Sequence, residues 1–172
     1  RVDIINGCTQ FIDDNYMKAP VQVIRGDYKY HERLGYAFVK DVGSLIPEIP
    51  LVIAMPFPRI GAPHTDMEEI LDECSIKKIP VHIDSAWVTC CRDVEFCFSH
   101  PVIQSVGISL SKGLGLGWNR IGLRWHRYEV TDSISIMNKF NMQNRLLSMV
   151  GTYILNNVEP DYLWNRYGHL NQ

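Results

Sequence analysis

Seven short apolar runs, at residues 2–6, 21–25, 36–40, 50–55, 79–84, 103–109 and 120–125, govern what this chain can fold into. Each has the length and the Val, Ile and Leu content of a buried strand. Between the fourth and fifth runs, Met67, Ile70, Leu71 and Cys74 recur at the i, i+3, i+4, i+7 spacing of a helix with one apolar face. A Thr65-x-x-Glu68 capping box opens it. Strands alternating with such helices predict an α/β three-layer sandwich around a mostly parallel seven-stranded sheet. After residue 125 the strand pattern stops. Residues 131–157 and 160–168 read as helices, with Pro160 in a first turn. At 172 residues and 46% hydrophobic content the chain can bury one core, so residues 1–172 are predicted to be a single domain without repeats or flexible linkers.

Ligands of such sheets bind beyond the carboxyl ends of the strands, and this is where the chemistry-bearing residues fall. The sixth run ends in Ser109-Leu110-Ser111-Lys112-Gly113, within a glycine-rich stretch, and Arg120 follows eight positions after the lysine. An amine desolvated near other cations becomes a nucleophile able to form a Schiff base with an aldehyde, and an arginine can fork onto a phosphate. The fifth run delivers Asp84, followed by Ser85-Ala86-Trp87. The first run enters Asn6-Gly7-Cys8-Thr9-Gln10, and Phe11, Ile12 and Tyr16 then suggest a helix whose N-terminus would suit a phosphate. An ordinary strand-to-helix turn would read the same way.

A formal charge of −2 offers no basic field for nucleic acid or a membrane surface, and no apolar run has the span of a membrane helix. Five scattered cysteines point to reduced thiols and hence to a cytoplasmic protein. Cys90, Cys91, Cys97 and His100 match none of the usual zinc spacings, so no metal site is expected.

Asp84, Ala86 and Trp87, followed in order by Ser109, Ser111, Lys112 and Arg120, resemble the signatures of the fold-type I pyridoxal-phosphate enzymes, the aspartate aminotransferase superfamily, and specifically class I/II aminotransferases. The resemblance implies pyridoxal 5'-phosphate as cofactor, an amino acid and a 2-oxo acid as substrates, and a homodimer. It assigns Lys112 as the Schiff-base amine and general base, and Asp84 as partner of the pyridine nitrogen. The backbone of Gly7, Cys8 and Thr9, together with Ser109, Ser111 and Arg120, becomes the phosphate site. Tyr28 takes the place of the aromatic that stacks on the ring, with Tyr30 as second choice, while His31 either neighbours Asp84 or lies at the surface.

The chain departs from the family pattern where Met55-Pro56-Phe57-Pro58-Arg59-Ile60-Gly61 lacks the asparagine that bonds the ring hydroxyl, and where Trp87 replaces a tyrosine. The family's amino-terminal segment and carboxyl-terminal small domain have no counterpart here, so the resemblance covers the cofactor-binding large domain. Two other readings stay open: a non-catalytic interaction module with the same fold, and a pyridoxal enzyme of another reaction type such as a lyase, decarboxylase or acyl transferase. Gly113-x-Gly115-x-Gly117 as a nucleotide loop is disfavoured, because it precedes a strand where a phosphate loop would open a helix.

Overall fold

The computed structural model describes residues 1–35 and 37–171. Tyr36, the first residue of the third predicted run, lies outside them. Strands β1 (Val2–Ile5), β2 (Gln22–Ile24), β3 (Ala37–Val39), β4 (Leu51–Ala54), β5 (Val81–Ser85), β6 (Ile103–Ser109) and β7 (Gly122–His126) form one sheet in the order β1-β7-β6-β5-β4-β2-β3. Strand β7 runs antiparallel to β1 and β6, and the remaining pairs are parallel. Six strands therefore point one way, and the start of β7 lies at the edge where the others end.

Apolar side chains cover both faces. On one, helix α2 (Met67–Ile76) buries Met67, Ile70, Leu71 and Cys74 against Leu51, Ile53, Val81 and Ile83. The predicted capping box is not formed. Asp66 occupies the cap with φ −101° and ψ 24°, a backbone that turns its side chain away from the first free N–H groups, and Thr65 lies in the preceding turn. On the other face, helix α1 (Cys8–Lys18) places Phe11 and Ile12 in a smaller core with Ile5 and Ile134. Gly107 of β6 lets α1 settle there, since a Cβ at that position would stand 2.7 Å from the Phe11 ring. The predicted 131–157 helix is two helices, α3 (Ser133–Lys139) and α4 (Arg145–Asn157), separated at Asn141, whose φ of 55° ends the first. Helix α5 (Tyr162–Tyr167) follows.

A buried ionic cluster locks α1, β1, β7 and the start of α3 together. Arg124 donates to Asp3 (2.7 Å), Asp14 (3.2 Å) and Asp132 (2.7 and 2.9 Å), and Lys18 also engages Asp14 and Asp132. Asp132 in turn caps α3 in a reciprocal arrangement with Ser135.

Candidate active site

The strand ends bring distant segments to one edge of the sheet. Gly7 follows β1, Tyr28 follows β2, Asp84 is the last residue but one of β5, Lys112 follows β6 and Arg120 precedes β7. A narrow cleft of about 90 Å³ is lined by Cys8, Thr9, Ile12, Tyr28, Asp84, Ala86, Trp87, Ser109, Ser111, Lys112, Gly117 and Arg120. All the side chains singled out from the sequence as cofactor contacts thus line one cavity, and Gly7 adjoins it.

Its floor is Asp84, buried, with one carboxylate oxygen accepting the Ala86 N–H at 3.1 Å. Burial pushes this carboxyl up to about 6, while the nearby Cys8 thiol, the Ala86 N–H and the Lys112 charge pull the other way. The thiol is raised well above its ordinary value by burial and by the Asp84 charge. Lys112 stands over Trp87, with Nζ 4.3 Å from the ring centroid. The lysine is held there by its neighbour. Gly113 presses against the short turn at residues 88–90, donating its N–H to Thr89 Oγ1 at 3.2 Å, and a Cβ on Gly113 would lie 2.0 Å from the Thr89 carbonyl oxygen. The expectation of a desolvated lysine is corrected here. Lys112 is exposed, because the Trp87 side of the cleft faces solvent.

At the other end, α1 begins with no side-chain cap and no acidic residue in its first turn. The N–H groups of its first turn and the positive end of the helix dipole therefore favour an anion. Arg120 bridges to this terminus, donating from Nη2 to Thr9 Oγ1 at 2.7 Å. Gly7, at φ 76°, is required for that approach, since a Cβ there would meet the Arg120 Nη2 at 3.0 Å. Ser109 Oγ accepts the Ser111 N–H (3.2 Å). Ser111 Oγ is largely spent on the loop itself, donating to the Asn119 carbonyl (2.5 Å) and accepting from the Ile121 N–H (3.1 Å).

Between the two aromatic candidates the geometry distinguishes clearly. Tyr28 lines the cleft, whereas Tyr30 donates its hydroxyl to Asp13 on α1 at 2.7 Å and stacks behind Tyr28 at a centroid distance of 5.9 Å. His31 is buried rather than at the surface, with Nδ1 3.0 Å from the Tyr16 hydroxyl, and burial lowers it to about 4. Sequence reasoning missed Asp27. Its carboxyl accepts N–H groups from Tyr28 (2.5 Å) and from Ala54 (2.8 Å), and burial with the nearby Asp84 charge raises it to about 7. A Gly-Asp pair at a strand end reads as a plain turn, so nothing in the sequence marks it.

No family model and no curated protein sequence matches the chain. Solved structures do. A pyridoxal-phosphate-dependent aminotransferase from Streptococcus suis superposes with a TM-score of 0.73 at 18% identity over 96% of this chain and 52% of its own. The aspartate aminotransferase of Thermotoga maritima gives 0.72 at 14% identity over 94% and 52%. The pyridoxal-phosphate-bound C-S lyase of Staphylococcus hominis gives 0.66 at 12% identity over 99% and 54%. The chain spans about half the length of each of these structures. These superpositions show that the chain has the fold of the fold-type I pyridoxal-phosphate enzymes.

Proposed function

We propose that the chain is the cofactor-binding domain of a pyridoxal-phosphate-dependent aminotransferase, moving an amino group between an amino acid and a 2-oxo acid. The observation that carries this reading is a single cleft holding a buried carboxylate, a lysine amine and an uncapped helix terminus backed by an arginine. These groups fit the cofactor's pyridine nitrogen, aldehyde and phosphate in turn. When bound, pyridoxal phosphate supplies an aldehyde for amines and a protonated ring that takes up electrons from the substrate's α carbon.

The protein's residues supply binding and proton transfer. Arg120 and the first N–H groups of α1 would hold the phosphate, and Tyr28 is the aromatic that would pack against the ring. Asp84 would accept the ring N–H and hold that proton in place. A cation opposite it would draw its carboxyl below the value that burial alone imposes. Lys112 is the amine that would hold the aldehyde, and its Nζ is the base that would take up the α proton. Trp87 adds an electron-rich face beside that amine and no exchangeable acid. Assembly as a homodimer is part of the proposal. It is supported by an exposed apolar stripe on α4, formed by Leu146, Met149 and Tyr153.

A second reading, a pyridoxal enzyme of another reaction type, draws on the similarity to a C-S lyase. The same lysine and aspartate would serve it. The test is addition of pyridoxal phosphate, borohydride reduction and peptide mapping. The expected result is one stable label on Lys112 that is absent from Lys112→Ala. Label scattered over surface lysines would overturn the assignment and leave a non-catalytic module. An amino-donor screen on unreduced protein with added pyridoxal phosphate then separates transfer from elimination.

A further inference from the structure

Tyr28 is 45% exposed, so core packing does not by itself fix the ring that walls the cleft. Its ring meets Tyr30, stacked at 5.9 Å, and His31, edge-on at 6.4 Å, both from the same short segment after β2. Tyr30 anchors the far side of that segment on α1, through the Asp13 carboxylate. We propose that Asp27 is the anchor toward the sheet, a positioning residue whose carboxyl sets where the Tyr28 ring stands relative to Asp84. That this ring and Asp84 face a pyridoxal ring rests on the function proposed above; the anchor itself does not.

The sheet leaves an opening for this carboxyl. Along β4, Leu51 and Met55 give their N–H groups to the Pro80 and Asp84 carbonyls on the β5 side, at 2.9 and 3.0 Å. Backbone donors alternate sides along a strand, so the Ala54 N–H faces β2. The register of β2 with β4 covers only Gln22 and Val23. Beyond it the chain turns away at Gly26 (φ 98°), and the Ile24 carbonyl accepts the Asp27 N–H at 3.2 Å. Asp27 Oδ2 takes the donor that the ladder leaves open, Ala54 N–H at 2.8 Å, while Oδ1 takes the Tyr28 N–H at 2.5 Å. A backbone N–H left unpaired inside the fold is costly, which holds the carboxyl in this place.

One carboxyl thus joins Tyr28 to Ala54, and the next residue, Met55, is bonded to the Asp84 carbonyl. The wall and the floor of the cleft are connected through the end of β4. Asp27 does not line the cleft itself, so its influence on a bound ring passes through Tyr28. Asparagine at this position keeps one acceptor oxygen but turns an amide N–H₂ toward the other donor, and alanine keeps neither.

The experiment has two readouts on the full chain. In ligand-free protein labelled with 3-fluorotyrosine, the fluorine resonance of Tyr28, assigned with Tyr28→Phe, is expected to shift in Asp27→Ala and to stay in place in Lys29→Ala, a change equally near in sequence. Unmoved resonances of Tyr153 on α4 and Tyr167 on α5 keep the result from being a loss of fold. A Tyr28 resonance that does not move in Asp27→Ala overturns the proposal whether or not the chain binds cofactor. Equilibrium titration with pyridoxal phosphate, read by absorbance, measures the coupling. Tyr28→Leu and Asp27→Ala should each weaken binding by about three- to ten-fold, and Asp27→Asn by less than Asp27→Ala. In the Tyr28→Leu background Asp27→Ala should add less than about two-fold. Losses that multiply, or Asp27→Ala binding as tightly as wild type, overturn the positioning role. Wild type that binds no pyridoxal phosphate saturably counts against the function proposed above, and the fluorine readout then decides the anchor alone.

Discussion

The Cys8 thiol and the Asp84 carboxyl face each other in one cleft, where the first residue of α1 meets the end of β5 and each perturbs the other's ionisation. Despite this proximity the carboxyl remains raised to about 6, because burial outweighs the thiol and the Lys112 charge. A group raised on folding stabilises the fold only while it is protonated. Its contribution is complete below the unfolded value near 4 and is lost as pH rises through about 6.

Replacing this carboxylate by its neutral isostere should therefore stabilise the ligand-free protein. Asp84→Asn is expected to gain on the order of 1–3 kcal/mol at pH 8, with the gain vanishing below about pH 4. Urea unfolding across that range measures it. A variant no more stable than wild type at pH 8 would show that Asp84 carries no such strain. The same substitution should weaken pyridoxal-phosphate binding, an exchange of stability for function of the usual kind.

Two glycines of the Lys112 loop should behave differently when given a methyl group. Gly113→Ala drives a Cβ into the Thr89 carbonyl and should cost roughly 3 kcal/mol, displacing Lys112 from Trp87. Gly115→Ala meets open space, and only its φ of 70° resists, so about 1 kcal/mol is expected. Chemical denaturation of both variants, with labelling of Lys112 alongside, distinguishes close packing from backbone conformation.

The ionic cluster predicts a larger effect at a site remote from the cleft. Arg124→Leu leaves the buried carboxylates of Asp3, Asp14 and Asp132 with only Arg1 and Lys18 to offset their charge, and should cost about 3–5 kcal/mol. Asp132 is held well below the usual carboxylate range by Arg124 and Lys18 despite its burial. A lowered carboxylate stabilises above its unfolded value and loses that contribution as pH falls, so wild type should weaken in acid more steeply than the variant. Stability measured from pH 6 down to 3 gives the two slopes.

Much of this fold was legible because most strands carry a compact set of apolar residues with a distinct end. The predicted 79–84 and observed Val81–Ser85 differ only by the segment at Pro80, which has no N–H to give the ladder. The helices were read less well. Thr65 and Glu68 have the spacing of a capping box, but the chain turns once more before the helix starts, and spacing alone does not report backbone angles. Of the site, the order of segments along the sheet edge was readable, since residues at strand ends must meet there. The closeness of Cys8 to Asp84, the inward turn of Asp27 and the exposure of Lys112 were not. They depend on how far α1 and the glycine loop sink toward the sheet, which Gly107 and Gly113 set through contacts distant in sequence.

The reversed direction of β7 has a consequence for how such a domain can change. Because β6 and β7 form a hairpin at the ligand edge, one short connection delivers both Lys112 and Arg120. Its length works as a ruler between the two grips. Inserting or deleting a residue between Gly115 and Trp118, where the connection is largely exposed, would alter the distance between amine and guanidinium while leaving every strand register intact. A domain built this way can be refitted to a ligand of different span by changing one loop, with the cores on both faces of the sheet untouched.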